Sequence, residues 1–171
     1  TVDEANGAGI TFNNGAAKTV DIWEDPQCPV CNTFEQANGE FVEDLVRAKK
    51  AKVVYHVLSF LGNESVSAAN AAYCAADEAR YLDFHKAMYL VQPVLENSGF
   101  YSTENLIKIG SYAGLTSQSF IDCVTKGSKL DKVRAAYESM GKYNVQGTPT
   151  VFFNGKLWEL PQLTVEEHGW S

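Results

Sequence analysis

Cys28 and Cys31, in the stretch EDPQCPVCNTFEQ, stand two residues apart and are the chain's clearest pair of chemically reactive side chains. They fall where the alternation of Val20 and Ile22 gives way to apolar residues at helical spacing, which puts Cys28 at the start of a helix. A sulfur there faces backbone N–H groups with no intrahelical acceptor and the positive end of the helix dipole, and both favour thiolate over thiol. Cys31 comes one turn later, within bonding reach, while only Cys28 faces solvent. Cysteines in such positions have pKa values of about 3.5 to 7.5 against ~8.5 for a free thiol, up to roughly 7 kcal/mol of thiolate stabilisation. The dipole accounts for about 2 kcal/mol, so hydrogen bonds from first-turn N–H groups and from the Cys31 thiol must supply the rest. Pro29 and Val30 between the cysteines, and Asp25 just before them, are candidates for tuning the pair, with Asp25 read first as a cap of the helix start.

The same spacing could serve a passive disulfide or half of a zinc site. Zinc wants four ligands, and Cys74, Cys123, His56, His85 and His168 offer no second closely spaced pair. No metal is expected, and redox chemistry is preferred. A second signal is VQGTPTVFFNGK: Pro149 cannot donate to a sheet ladder, so it belongs at a strand start or edge. A cis Thr148–Pro149 bond there would expose backbone to a partner, although on its own an ordinary loop proline is the simpler explanation.

The elements that must hold these residues read as follows. GITFNNGAAKTVDIWED predicts two strands around Asn14-Gly15, a hairpin or an adjacent pair. Val30, Phe34, Phe41 and Leu45 predict a helix to about Ala48, weakened or kinked at Asn38-Gly39. KVVYHVLSF predicts a strand that returns parallel after the crossover. Residues 64–140 read as helices: an Ala-rich run stopped by Pro93, one from a Ser102 cap to Gly114, one from Thr116 to Gly127, and one with Leu130, Val133 and Tyr137 on a single face. TPTVFFNGKLWEL then predicts a hairpin around Asn154-Gly155. The chain is expected to divide into a sheet domain, residues 1–63 and 141–171, and an inserted helical domain, residues 64–140.

The 171 residues and 45% hydrophobic content suit an ordinary globular core. A net charge of −7, without a run of Lys or Arg, argues against nucleic acid and anionic membrane surfaces. No apolar stretch approaches the ~20 residues of a membrane span. The chain opens at Thr1 rather than Met, so a signal peptide or membrane anchor upstream of Thr1 is compatible with export. Four cysteines allow three pairings, and their number alone leaves the compartment open.

The motifs in order, EDPQCPVC, SAANAAYCA, FHKAMY and VQGTPTVFFNGK, resemble those of the DsbA-like branch of the thioredoxin superfamily over nearly the whole chain. The resemblance implies an α/β thioredoxin fold with an inserted helical domain and thiol:disulfide oxidoreductase activity without a cofactor. It implies that Cys28 exchanges with substrate, that Cys31 resolves the mixed disulfide, and that Thr148-Pro149, in cis, holds substrate backbone. The implied setting is the periplasm or cell envelope. The implied partners there are reduced, unfolded secreted proteins and a membrane quinone-linked reoxidase, DsbB-like or a vitamin K epoxide reductase homologue. Two departures stand out: Pro26 replaces a usual aromatic, and PQLTVEEHGWS is short for a terminal helix.

Within that frame Cys74 and Cys123, on different predicted helices, suit a structural disulfide and an oxidising compartment. Asp21 and Glu24 both lie near the strand end where such proteins can bury a carboxylate behind the resolving cysteine, and the register singles out neither. His56 and His85 read as structural, and Trp23, Phe60 and Trp158 as core. Two alternatives to an oxidase remain: a disulfide reductase or isomerase, and a metal- or copper-binding module that uses the two thiolates as ligands.

Overall fold

The computed structural model describes residues 1–158. β3 (Thr19–Glu24) feeds α1 (Pro29–Arg47), and α1 returns the chain to β4 (Lys52–Val57). β4 lies parallel to β3, with Val20 opposite Val53 and Glu24 opposite Val57, as a crossover helix permits. β2 (Gly9–Phe12) runs antiparallel to the other edge of β4, and the short β1 (Val2–Asp3) pairs with β2. β5 (Thr150–Phe153) runs antiparallel to β3, and β6 (Lys156–Leu157) follows it after Asn154 and Gly155, whose φ angles of 52° and 78° make the tight hairpin turn. The sheet order is β1-β2-β4-β3-β5-β6.

The expected pairing around Asn14-Gly15 does not form, because β4 lies between β2 and β3. Asn13 shows why the chain diverges there. Its side chain donates to the carbonyls of Val46 and Ala51, which ties the loop across the α1–β4 connection instead of closing a hairpin. Buried on nearly every residue, β4 is fit for a central position.

Among the described residues six α-helices flank the sheet. The helix α1 is continuous where a kink at Asn38-Gly39 was expected. Both residues are buried, and a Cβ on Gly39 would come within 2.3 Å of a Glu35 carboxylate oxygen, so the glycine makes room for that side chain. The Ala-rich run is two helices, α2 (Asn63–Asp77) and α3 (Tyr81–Leu90), divided at Ala79 with φ 57°. Glu78 at the break accepts hydrogen bonds from Ser117 and Ser119, a tertiary tie that helical spacing cannot reveal. Ala68, Ala69, Ala71, Ala72 and Ala75 are all buried, and α2 packs against α3, α4 (Thr103–Tyr112), α5 (Gln118–Lys126) and α6 (Leu130–Lys142).

Ser102 caps α4 as read, whereas Ser117 and not Thr116 caps α5. On α6 the buried residues are Val133, Ala136 and Ser139, while Leu130 and Tyr137 are about half exposed. The shift has a clear cause: Ala136 joins Trp23, Leu58 and Val145 in a second small core. Among the described residues no helix is long and apolar enough to cross a membrane. PQLTVEEHGWS, with His168, lies outside the described residues.

Cys74 on α2 and Cys123 on α5 are joined by a disulfide across a sequence separation of 49. Closing a loop of that length is worth about 4 kcal/mol on the chain-entropy model. Replacing both cysteines with Ala should lower unfolding free energy by about that amount in urea titration. A loss below about 1 kcal/mol would show that helix packing alone holds α2 to α5.

Candidate active site

Cys28 is itself the N-cap of α1, with extended backbone (φ −74°, ψ 117°), and its Sγ accepts a hydrogen bond from the Cys31 N–H at 3.2 Å. Pro29 occupies the first helical position, where a missing N–H costs nothing, and with Val30 it is exposed. Both thiols are reduced; Cys31 is fully buried and Cys28 only 5% exposed. The Cys28 pKa is drawn down to about 6 from an ordinary 9.0. The largest cause is the hydrogen bond from the Cys31 thiol, which outweighs burial and is assisted by Thr148 and the Cys31 and Val30 N–H groups. Cys31 goes strongly the other way, through burial first, then its hydrogen bond to Cys28 and the negative charge of Cys28 and Glu24. Charge therefore resides on Cys28 and the proton on Cys31.

Thr148 and Pro149, remote in sequence, lie at this pair. Their peptide bond is cis, and the Thr148 carbonyl is 3.7 Å from the Cys28 sulfur. Asp25 has a different place from the one expected. Since Cys28 caps the helix, Asp25 braces the turn that leads into it. Wholly buried, it accepts from the Gln27 N–H at 3.0 Å, the Ser65 hydroxyl at 2.6 Å and the Leu61 N–H at 3.2 Å. Its carbonyl accepts from the Cys28 N–H and the Tyr89 hydroxyl, both at 3.0 Å. Burial raises its pKa, against these hydrogen bonds.

Strand alternation separates the two carboxylates that the register left unresolved. Asp21 goes to one face, 3.3 Å from His56, whose ring stacks on Trp23 at 3.7 Å. Glu24 goes to the other, where His85 of α3 meets it through Nε2 and meets Glu35 of α1 through Nδ1 at 3.6 Å. All three side chains are buried. An imidazolium has a proton on each nitrogen and suits a ring held between two carboxylates. Burial opposes that charge on His85, but Glu24 and Glu35 together overcome it and raise its pKa; burial likewise raises that of Glu24, against His85.

Glu35 went unread in the sequence, although it lies one turn after Cys31 and one turn before Gly39. Gln27 and Gln92 were also unread. Of the aromatic residues, Trp23 is buried, Phe60 is 38% exposed, and Trp158 packs edge-on to Phe34. Among the described residues no group of three or more His, Cys, Asp or Glu side chains is arranged to hold a metal.

A family model described as Thioredoxin matches residues 10–167. The chain belongs to the thioredoxin family. Solved thioredoxin-like structures similar to it include reduced DsbA from Mycobacterium tuberculosis, 29% identical, with a TM-score of 0.76 over 91% of this chain and 86% of that one. The reduced disulfide bond oxidoreductase DsbG from the same organism is 27% identical, with a TM-score of 0.76 over 92% of this chain and 83% of that one. MdbA, a thiol-disulfide oxidoreductase from Actinomyces oris, shares the fold with a TM-score of 0.82 at 24% identity, over 95% of this chain and 83% of that one. Among curated proteins, the serine/threonine-protein kinase PknE of M. tuberculosis is 29% identical over 152 residues, 80% of this chain. The chain spans 27% of the length of that relative. By architecture this member of the thioredoxin family has the fold of the DsbA structures.

Alkylation of the reduced protein by iodoacetamide should be half-maximal near pH 6, with the adduct on Cys28. Peptide mapping that finds Cys31 labelled first would reverse the assignment of the two sulfurs.

Proposed function

We propose that the protein is a disulfide oxidase acting outside the cytoplasm, which passes the Cys28–Cys31 disulfide to reduced, unfolded secreted or envelope proteins. The observation that supports this most is the stabilised Cys28 sulfur at the start of α1. A substrate thiolate attacks Cys28 Sγ, the Cys28–Cys31 bond breaks, and Cys31 leaves with the electron pair and takes up a proton. A second substrate thiolate then attacks the substrate sulfur of the mixed disulfide. The substrate disulfide forms, and Cys28 departs as a thiolate. Two electrons have moved to the cysteine pair, and the low Cys28 pKa makes it a good leaving group.

In this reading Thr148 and Pro149 hold the substrate backbone in strand-like pairing beside Cys28, Pro29 and Val30 form the exposed tip that meets substrate, and Asp25 tunes the site through the turn. Residues 64–140 act as the inserted domain that covers α1, and the Cys74–Cys123 bond fits an oxidising compartment. Reoxidation falls to a membrane quinone-linked partner of the DsbB or vitamin K epoxide reductase kind.

A reductase or isomerase reading has one observation in its favour. The negative Glu24 bears on Cys31, which disfavours thiolate at the pair and hence the reduced state. Direct N–H and S–H contacts to Cys28 favour its thiolate and support the oxidase direction. Mixing the oxidised protein with a reduced, unfolded disulfide protein should consume substrate thiols, and equilibration with glutathione should favour the reduced enzyme. Failure to oxidise that substrate, together with efficient reduction of insulin disulfides when thiols are supplied, would overturn the direction.

A pH dependence follows. The folded pKa of Cys28 lies below its ordinary value, so its ionisation stabilises the reduced protein fully above pH 9.0, and that gain is lost as pH falls through about 6. The thermal midpoint of reduced minus oxidised protein should therefore rise across this window. A flat difference would show that the thiolate is not stabilised by folding.

A further inference from the structure

The connection between α3 and α4 contains a residue with an unexplained placement. Gln92 lies just past the end of α3, and its side-chain amide donates both hydrogens to the active-site turn, one to the Pro26 carbonyl at 2.9 Å and one to the Cys28 carbonyl at 3.0 Å. A primary amide has two N–H donors, and both are used on backbone on either side of Gln27. The Cys28 carbonyl also accepts the first hydrogen bond of α1, from the Asn32 N–H at 3.2 Å. Gln92 thus grips the peptide at which the extended turn becomes helix.

A second tie holds the same connection. The Asn97 N–H donates to Gln27 Oε1 at 2.7 Å, and the Asn97 side chain donates to the Leu61 carbonyl at 2.9 Å. Between the two ties Val94 and Leu95 are exposed, at 95% and 72%, so apolar packing does not hold this segment in place. Polar bonds to the active-site turn do.

The Cys28 sulfur can accept from the N–H groups of the first turn only if the cap residue keeps its extended backbone against a fixed helix axis. The two carbonyls that define this geometry are the two that Gln92 holds. We propose that Gln92 is a positioning residue for thiol–disulfide exchange, holding Cys28 so that its sulfur stays aimed at the N–H groups of the α1 start. It does so without touching sulfur. The partial positive charge of its NH2 group, placed against the Cys28 peptide, acts in the same sense and favours negative charge on the adjoining side chain.

This inference rests on the redox reading of the Cys28–Cys31 pair but not on the direction of exchange. The test therefore reads the thiol itself. In Gln92→Ala the backbone grip is lost, the Cys28 sulfur is held less well by its donors, and its titration moves up toward that of an ordinary thiol. In Gln92→Glu an anion faces two carbonyl oxygens and a nearby thiolate, so the movement is larger. Gln92→Lys keeps N–H donors, one bond further along the side chain, and adds a positive charge, so it should restore most of the wild-type behaviour. The carboxylate that bears on the pair, Glu24 at the end of β3, and the Asp25 backbone that bonds Cys31 are unchanged in all three variants.

The rate of iodoacetamide labelling of Cys28 is followed against pH, alongside thermal unfolding. At pH 6 labelling should fall roughly twofold to fivefold in Gln92→Ala, the effect of a shift of half to one pH unit on a thiol that is half ionised there, and further in Gln92→Glu. If both variants label with the wild-type pH midpoint, the proposal is wrong. A lowered thermal midpoint with an unmoved labelling midpoint also overturns it, by reducing Gln92 to a packing residue. If Gln92→Ala does not fold, Gln92→Glu against Gln92→Lys decides the question, since the two differ in charge and donor character on similar side chains. Wild-type protein whose cysteines never exchange with glutathione would instead count against the redox reading, whatever the variants show.

Discussion

A sulfur that accepts the Cys31 N–H at the start of α1 constrains much of the structure. The charge of a thiolate here is met by hydrogen-bond donors, among them those the backbone has in excess at a helix start. That requirement fixes where β3 must stop, how tight the turn must be, and what must press on α1 from outside. It also explains the asymmetry of the pair. The geometry that offers N–H and S–H donors to Cys28 leaves Cys31 buried and facing negative charge, so one sulfur is ready to ionise and its partner keeps its proton.

Three carboxylates lie within four residues of one another before the cysteines, and they would be expected to push the Cys28 pKa up. The fold disperses them. Asp21 points away from α1 toward His56, Asp25 spends its oxygens on three donors and carries a raised pKa of its own, and Glu24 is met by His85. An uncompensated buried carboxylate is costly, and a buried pair is tolerable only when its remaining positions are filled. Glu35 and the space left by Gly39 complete that arrangement. The helices after β4 thus do electrical work at the site as well as cover it.

The parts of this arrangement legible in the sequence share a property: each is a local pattern. The cysteine pair at a strand-to-helix change, the parallel crossover, the Ser102 cap and the Asn154-Gly155 turn all depend on residues a few positions apart. What was misread depends on partners far along the chain. Nothing near Asn14-Gly15 says that β4 will take the place beside β3, and nothing near Ala79 says that Glu78 will be held by Ser117 and Ser119. Asp25 looked like a cap because capping is a local role, and its true partners, Leu61 and Ser65, lie about 40 residues away. The partners of His85 were hidden for the same reason, since an amphipathic helix shows which face is buried but not which charges await it there.

The two cysteine pairs follow one physical rule with opposite results. Bridging residues 49 apart removes far more chain freedom than closing a ring across two intervening residues, by roughly 2 kcal/mol on the chain-entropy model. That difference alone makes the α2–α5 bond the harder to reduce. The short pair departs further, because its reduced form gains a stabilised thiolate that the disulfide cannot have. The Cys74 sulfur, buried near the C-terminal end of α2, accepts from an Asn70 side chain at 3.8 Å and stands at no helix start, so it gains no comparable stabilisation there. The Cys74–Cys123 bond therefore holds the helices together, and a mild reductant should open a Cys28–Cys31 bond before it.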